Sequence, residues 1–270
     1  MIKPVYIAIP LFALFITLDA WREWRERADE FDIKDTLTNV FVGLMSLVWG
    51  AMFGFLNAQI FQLCYDFAPF KLSANFWWCW VLLFFVDDFA YYWFHRISHE
   101  SRFFWNFHVV HHSSNKYNLS VAVRQSWFGG AVLWIFYAPV MLMGFEPWMF
   151  AVVHGLNLLY QFWIHTRFVK RLGFLEGILN TPSHHRVHHG ANDVYLDKNY
   201  GGVLIIWDRI FGTFVSESEE PRYGTITPLK SYNAMWINSH AWAEMFAAMR
   251  RKKRISDKIR CIFGSPNMNS

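Results

Sequence analysis

Nine of the twelve histidines crowd into three short boxes, HRISH (95–99), HVVHH (108–112) and SHHRVHH (183–189), and any fold of this chain must reconcile them with the apolar sequence around them. His95 with His99, and His108 with His112, stand four apart, so each pair shares one face of a helix. Protonated rings this close would repel, and neutral rings buried together would leave lone pairs unmet; a shared cation removes both problems. A structural zinc takes four ligands and a catalytic one three, whereas the boxes supply nine imidazoles and His165 a tenth, so two metal ions are expected. Cys64, Cys79 and Cys261 have no paired spacing and offer neither a disulfide framework nor a thiolate site. All-nitrogen ligation suits iron, copper or zinc alike by softness. Placement beside apolar helices, where an alkyl or acyl chain can be oxidised, favours iron. His154 and His240 lie outside the boxes and read as core or surface residues.

The rest of the sequence is 54% hydrophobic and 20% aromatic, more than a water-soluble domain usually carries. Residues 4–18 read as an uncleaved anchor followed by the charged run WREWRER. Further apolar stretches at 40–63, 76–94, 127–145 and 147–164 each approach the ~20 residues that a hydrocarbon core requires. The expected fold is all-α: an integral membrane bundle of four or five segments under a histidine-rich cap holding two metals. One domain over 1–270 is expected, with anchor helices at 1–75, the histidine-box core at 76–228 and a basic tail at 229–270. Lys and Arg gather at 22–34, 96–126 and beyond 166, while 65–75 has only Lys71, which puts boxes and tail on the cytoplasmic side. The tail segment MRRKKRISDKIR can rest on anionic lipid or stay solvated, and no nucleic-acid partner is expected. Gly144-Phe-Glu-Pro147 closes a hairpin that either spans or re-enters. Asp87 and Asp88 are costly at bilayer depth unless they face a bundle interior or a partner. Asp88 shares a face with His95 seven residues on, and both acids are expected to orient ring N–H groups.

DDFAYYWFHRISHE (87–100), NFHVVHHSS (106–114), NTPSHHRVHHG (180–190) and KNYGGVLIIWDRIFGTF (198–214) resemble the fatty acid hydroxylase and sterol desaturase superfamily of membrane di-iron oxygenases. NLSVAVRQSW (118–127) and NLLYQFWIHT (157–166) look most like its alkylglycerol monooxygenase members. The resemblance, over roughly 85–228, implies iron ligation by His95, His99, His108, His111, His112, His185, His188 and His189, with His165 as the further histidine before the last box. His184 falls outside the recurring HxxHH pattern and reads as a supporting donor or surface residue. Glu100, after the first box, is expected to orient a ligand or accept a proton, with a plain helix-end charge as the alternative.

What the resemblance implies is a monooxygenase that inserts oxygen from O2 into a membrane lipid. Animal ether-lipid enzymes continue with further hydrophobic sequence beyond the point where this chain stops. No HPGG haem motif and no GxGxxG fingerprint is present, so electrons are expected from an external donor, a tetrahydropterin or an electron-transfer protein. Two other classes compete: a zinc-dependent membrane hydrolase, needing neither O2 nor reductant, and a metal carrier or structural bundle. Within the oxidative class, attack at an ether carbon competes with hydroxylation or desaturation of an acyl chain, a headgroup or a sterol.

Overall fold

A computed structural model describes residues 4–26 and 31–266, with side chains from residue 10 onward. The described residues are helical with no strand; only three isolated bridges occur. The helices are α1 (Pro4–Glu26), α2 (Ile33–Asp66), α3 (Trp77–Glu100), α4 (Arg102–His112), α5 (Leu119–Val123), α6 (Leu133–Leu142), α7 (Pro147–Trp163), α8 (Pro182–His188), α9 (Ile206–Ile210), α10 (Ala234–Arg251) and α11 (Ile255–Phe263).

Asp32 starts α2 by accepting from the Lys34 and Asp35 amides at 2.9 and 3.2 Å, satisfying orphan donors of the first turn. The helix runs 34 residues, about 50 Å at 1.5 Å per residue. It is the one described helix long and apolar enough to cross a membrane. Its exposed side chains include Leu37, Phe41, Leu44, Val48 and Phe55. Helices α1, α3 and α7 likewise turn Leu14, Phe15, Trp77, Trp78 and Leu156 outward. An outer face this apolar is unlike one built for water.

The expected continuous segment at 127–145 is broken. A 3-10 turn at Gly129–Ala131 precedes α6, which has ten residues and rises about 15 Å, half a hydrocarbon core. Gly130 lies against the Phe53 side chain on α2, and its carbonyl accepts from Asn57 Nδ2 at 2.9 Å; that close approach interrupts the helix.

Helices α2, α3, α6 and α7 enclose a core that includes Phe61, Cys79, Leu83, Met141, Phe145 and Met149. The α6–α7 turn pivots on Gly144 at φ +92°, its carbonyl accepting from the Leu72 amide at 2.8 Å. A Cβ at 144 would press into the Phe70 carbonyl. Gly144→Ala should therefore cost about 1–3 kcal/mol or more, read as a lowered melting temperature in detergent; an unchanged melt would refute the strain.

Helix α3 changes character along its length. Its first half gives Cys79 and Leu83 to the core, and its second half buries Asp87, Asp88, Tyr91, Tyr92, His95, Ser98 and His99. Ser101, in extended conformation, is the one residue between α3 and α4, so the chain doubles back and sets the first box against the second. Within the expected tail, α10 packs against the body of the protein. Ile237, Ala241, Met245 and Ala248 form a buried stripe on α10, and Ile237 packs with Val42 of α2 and Val110 of α4.

Candidate metal centre

The α3–α4 hairpin, the end of α7 and the short buried helix α8 bring nine histidines into two groups. His95, His99, His108, His112 and His188 form one; His111, His165, His185 and His189 form the other. In each, one ring nitrogen from every residue lies within 4.8 Å of the rest. The i,i+4 pairs explain the first group, since His108 and His112 share one face of α4 while His111, a quarter-turn away, reaches the second.

Hydrogen bonds at the far nitrogens set the tautomers. His95 Nδ1 meets the Tyr200 carbonyl at 2.8 Å, His188 Nδ1 the Lys198 carbonyl at 3.0 Å, His165 Nδ1 the Gln161 carbonyl at 2.7 Å and His111 Nδ1 the Arg124 carbonyl at 3.3 Å. A carbonyl only accepts, so each Nδ1 carries the proton and each Nε2 presents a lone pair. Yet the Nε2 atoms of His165 and His111 are 3.1 Å apart, with no proton to share. In the other group the Nε2 atoms run His95, His108, His112, His188 with gaps of 3.0, 3.1 and 3.1 Å. Three hydrogen bonds there would need three protons, and only His108 and His112 have one to give. Buried His99 Nε2 and His189 Nε2 have no hydrogen-bond partner among the described residues.

A cation in each group resolves these conflicts. With metal–imidazole bonds of about 2.1 Å, nitrogens at right angles stand about 3.0 Å apart and tetrahedral ones about 3.4 Å. The observed 2.9–3.1 Å suits the wider coordination. Burial first, and neighbouring imidazoles second, hold His108, His112, His185 and His189 well below the usual histidine range, which keeps them neutral, the ligating form.

The carbonyls at 198 and 200 come from a tight loop in which Asp197 and Asn199 adopt φ of 58° and 57°, a left-handed conformation that Asp and Asn tolerate better than most residues. Buried Asp208 pins it, accepting from the Tyr200 amide at 2.8 Å, the Gly201 amide at 2.7 Å and Thr213 Oγ1 at 2.7 Å. Asn199 ties the loop to α8 by donating to the His184 carbonyl at 3.1 Å. Arg124, also buried, donates to the Val110 carbonyl at the end of α4 at 2.9 Å and to Asn39 Oδ1 at 2.7 Å; burial lowers its guanidinium to about 10. Asp208, Asn199 and Arg124 are absent from the expected site, although KNYGG, WDRIFGTF and NLSVAVRQSW contain them.

Two expected roles are corrected. Asp88 accepts from the Val203 and Leu204 amides at 2.7 and 3.1 Å and from Trp207 Nε1 at 2.9 Å, fastening the 203–207 segment rather than a ring of the boxes. Seven residues put it on His95's face but about 10 Å along the axis, beyond an aspartate's reach. Asp87 does bind an imidazole, His154 Nδ1 at 2.9 Å, but one outside both groups. Glu100 faces outward and accepts from Arg96 at 2.8 Å one turn back, so it is the plain helix-end charge. His184 is buried and forms a capping box with Thr181 at the start of α8. His240 bonds to carbonyls of its own helix.

Two cavities flank the groups. A narrow cleft of about 50 Å³ reaches His99, His112, His188 and His189 beneath Trp105 and Pro266. An apolar groove of about 800 Å³ runs between α1 and α7, lined by Leu11, Phe12, Phe15, Leu159 and Phe162, with Asp19, Arg22 and Thr166 at its polar end. Thr166 directly follows His165.

The family profile described as fatty acid hydroxylase matches residues 80–213. The chain is 42% identical to the alkylglycerol monooxygenase of Danio rerio and 39% identical to that of Homo sapiens, in each case over 97% of this chain and 60% of the relative. It thus spans about three-fifths of the length of these relatives. It is also 31% identical to an ornithine lipid hydroxylase of Rhizobium tropici, over 48% of this chain and 39% of that protein. No solved structure matches. With both histidine groups' α3, α4 and α8 residues inside the matched span and the similarity running through nearly all of its length, the chain belongs to the fatty acid hydroxylase family.

Proposed function

We propose that this chain is a multi-pass membrane monooxygenase that holds two iron ions and uses O2 to hydroxylate a lipid C–H bond, at the carbon beside the ether oxygen of an alkylglycerol-type lipid. The observation that carries the reading is the pair of histidine groups whose lone pairs converge with too few protons to share. Five imidazoles in one group exceed the four of tetrahedral zinc, and the 3.0–3.1 Å spacing there favours a metal of higher coordination such as iron. Iron, when bound, supplies the activation of O2 needed to place one oxygen atom in the C–H bond; two electrons and two protons from an external donor reduce the other to water.

The protein's own contribution is positional. The Tyr200, Lys198, Gln161 and Arg124 carbonyls hold four imidazoles with Nε2 inward, and the hydrophobic surround keeps water from the reacting carbon. The α1–α7 groove has the size and apolar lining of a site for a lipid chain, and its polar end beside His165 would receive the glycerol. The alkylglycerol monooxygenase and ornithine lipid hydroxylase relatives support a lipid substrate, the former an ether lipid. Hydroxylation next to an ether oxygen gives a hemiacetal, which collapses to an aldehyde and an alcohol. The Lys/Arg distribution supports a cytoplasmic face for the boxes.

The decisive experiment is to supply the detergent-purified protein with an alkylglycerol, O2 and a tetrahydropterin, and to measure metal content, O2 uptake and fatty aldehyde. Iron with uptake and aldehyde supports the reading; a lipid gaining one oxygen without aldehyde moves the target to an acyl chain, headgroup or sterol. Zinc without uptake refutes it. Filling the groove with Leu159→Trp should lower kcat/KM for long-chain over short-chain substrates by about 10-fold at unchanged metal content. Equal losses at every chain length would take the chain out of this groove.

A further inference from the structure

Helix α11 has a face that none of the described residues covers. Ile255, Ile259 and Phe263 are 75%, 52% and 58% exposed, and with spacings of four residues they form one stripe. Ile262 extends it to an arc of about 100°. Lys258 and Arg260 flank the arc. Residues 250–260 hold seven basic side chains, Arg250, Arg251, Lys252, Lys253, Arg254, Lys258 and Arg260, against the single acid Asp257. The opposite side is anchored: the Arg102 amide donates to the Gly264 carbonyl at 2.9 Å, and the Arg102 guanidinium donates to Cys261 Sγ at 3.4 Å and the Pro266 carbonyl at 3.2 Å. The exposed ring of Phe263 meets Phe103 of α4 at 6.0 Å between centroids, continuing the apolar strip onto the body of the protein.

We infer that α11 is an interfacial helix that docks on an anionic lipid surface, its Ile255–Ile259–Phe263 stripe in the headgroup–acyl boundary and its basic residues on lipid phosphates and carboxylates. A helix lying in the interface has this build: a strong apolar stripe, basic flanks and low overall hydrophobicity. A protein partner of the same shape would need acidic groups around an apolar groove, whereas the cytoplasmic leaflet supplies both at once. The docking has a consequence for the metal centre. Pro266 forms part of the cleft that reaches His99 and His188, and Arg102 clips it to α4. A docked α11 therefore places the mouth of that cleft near the bilayer surface. The inference rests on the membrane reading above only in that the chain already resides at a bilayer; the docking of α11 is read separately from activity.

The test uses the full chain, carrying an environment-sensitive fluorescent amino acid at position 259, in vesicles of phosphatidylcholine with or without phosphatidylserine and with lipid-borne nitroxide quenchers at headgroup depth. With phosphatidylserine the probe should shift to the blue and be quenched. In Lys252→Gln/Lys253→Gln/Arg254→Gln the docking equilibrium should fall about 100-fold, since each of the three basic residues near an anionic surface contributes roughly fivefold. These three side chains lie outside the packed core, so the variant should keep the parent's metal content and melting temperature. Absence of quenching in both vesicle types overturns the proposal, as does equal quenching in both. A blue-shifted but unquenched probe also overturns it, because protein rather than lipid then covers the helix. Loss of lipid oxidation with probe behaviour intact would refute the function proposed above and leave this inference standing.

Discussion

His188→Ala is expected to empty one metal position and abolish turnover, and His185→Ala to do the same at the other. The two residues are three apart on α8, yet His188 closes on His112 at 3.1 Å and His185 on His165 at 2.9 Å, so each belongs to a different group. Removing an outer partner of a metal ligand typically costs 10–100-fold in affinity or activity; removing the ligand should cost more than that in turnover and lower bound metal from about two ions to about one. His184→Ala is the internal comparison. It sits beside His185 but caps α8, so it should keep both metals and lose about 1 kcal/mol of stability. Equal metal content in the parent and both ligand variants would remove the two-group assignment, while equal losses from His184→Ala would mean that α8 unfolds whenever it is altered.

Much of this arrangement is legible in the sequence because it follows from helical periodicity. Four-residue spacing put His95 with His99 and His108 with His112 on single faces, and one such face from each box is enough to build a cluster once α3 and α4 fold back at Ser101. What periodicity cannot give is distance along the axis or direction around it. Asp88 shares a face with His95 and still bonds elsewhere, and Glu100 follows a ligand box and still points outward to Arg96. The 127–145 stretch is apolar enough for a single segment, but a close contact of Gly130 with α2 breaks it, and such a contact exists only in the fold. The carbonyls that set the tautomers were invisible for a different reason: every residue has one, and only the loop conformation decides which carbonyl meets a ring.

Asp208→Ala should therefore lower metal affinity although Asp208 meets no histidine. Its carboxylate is the shared acceptor for the Tyr200 and Gly201 amides and the Thr213 hydroxyl, all buried. Without it the two buried amides are left unmet, at about 1–3 kcal/mol each, Thr213 keeps only the Tyr92 hydroxyl at 3.0 Å, and the left-handed turns at 197 and 199 lose the bonds that hold them. The Lys198 and Tyr200 carbonyls then drift from His188 Nδ1 and His95 Nδ1, and nothing fixes those rings with Nε2 inward. Metal affinity, measured by chelator competition, should fall about 10–100-fold, with the loss confined to the group containing His95 and His188. Asp208→Asn keeps one acceptor oxygen but turns an NH2 toward a donor, so it should fall between parent and alanine. Asp88→Ala breaks a comparable set of buried bonds at 203–207 and controls for simple destabilisation. If Asp208→Ala and Asp88→Ala lower the melting temperature equally and neither changes metal affinity, Asp208 serves only to hold its loop, and the tautomers of His95 and His188 are set by the metal itself.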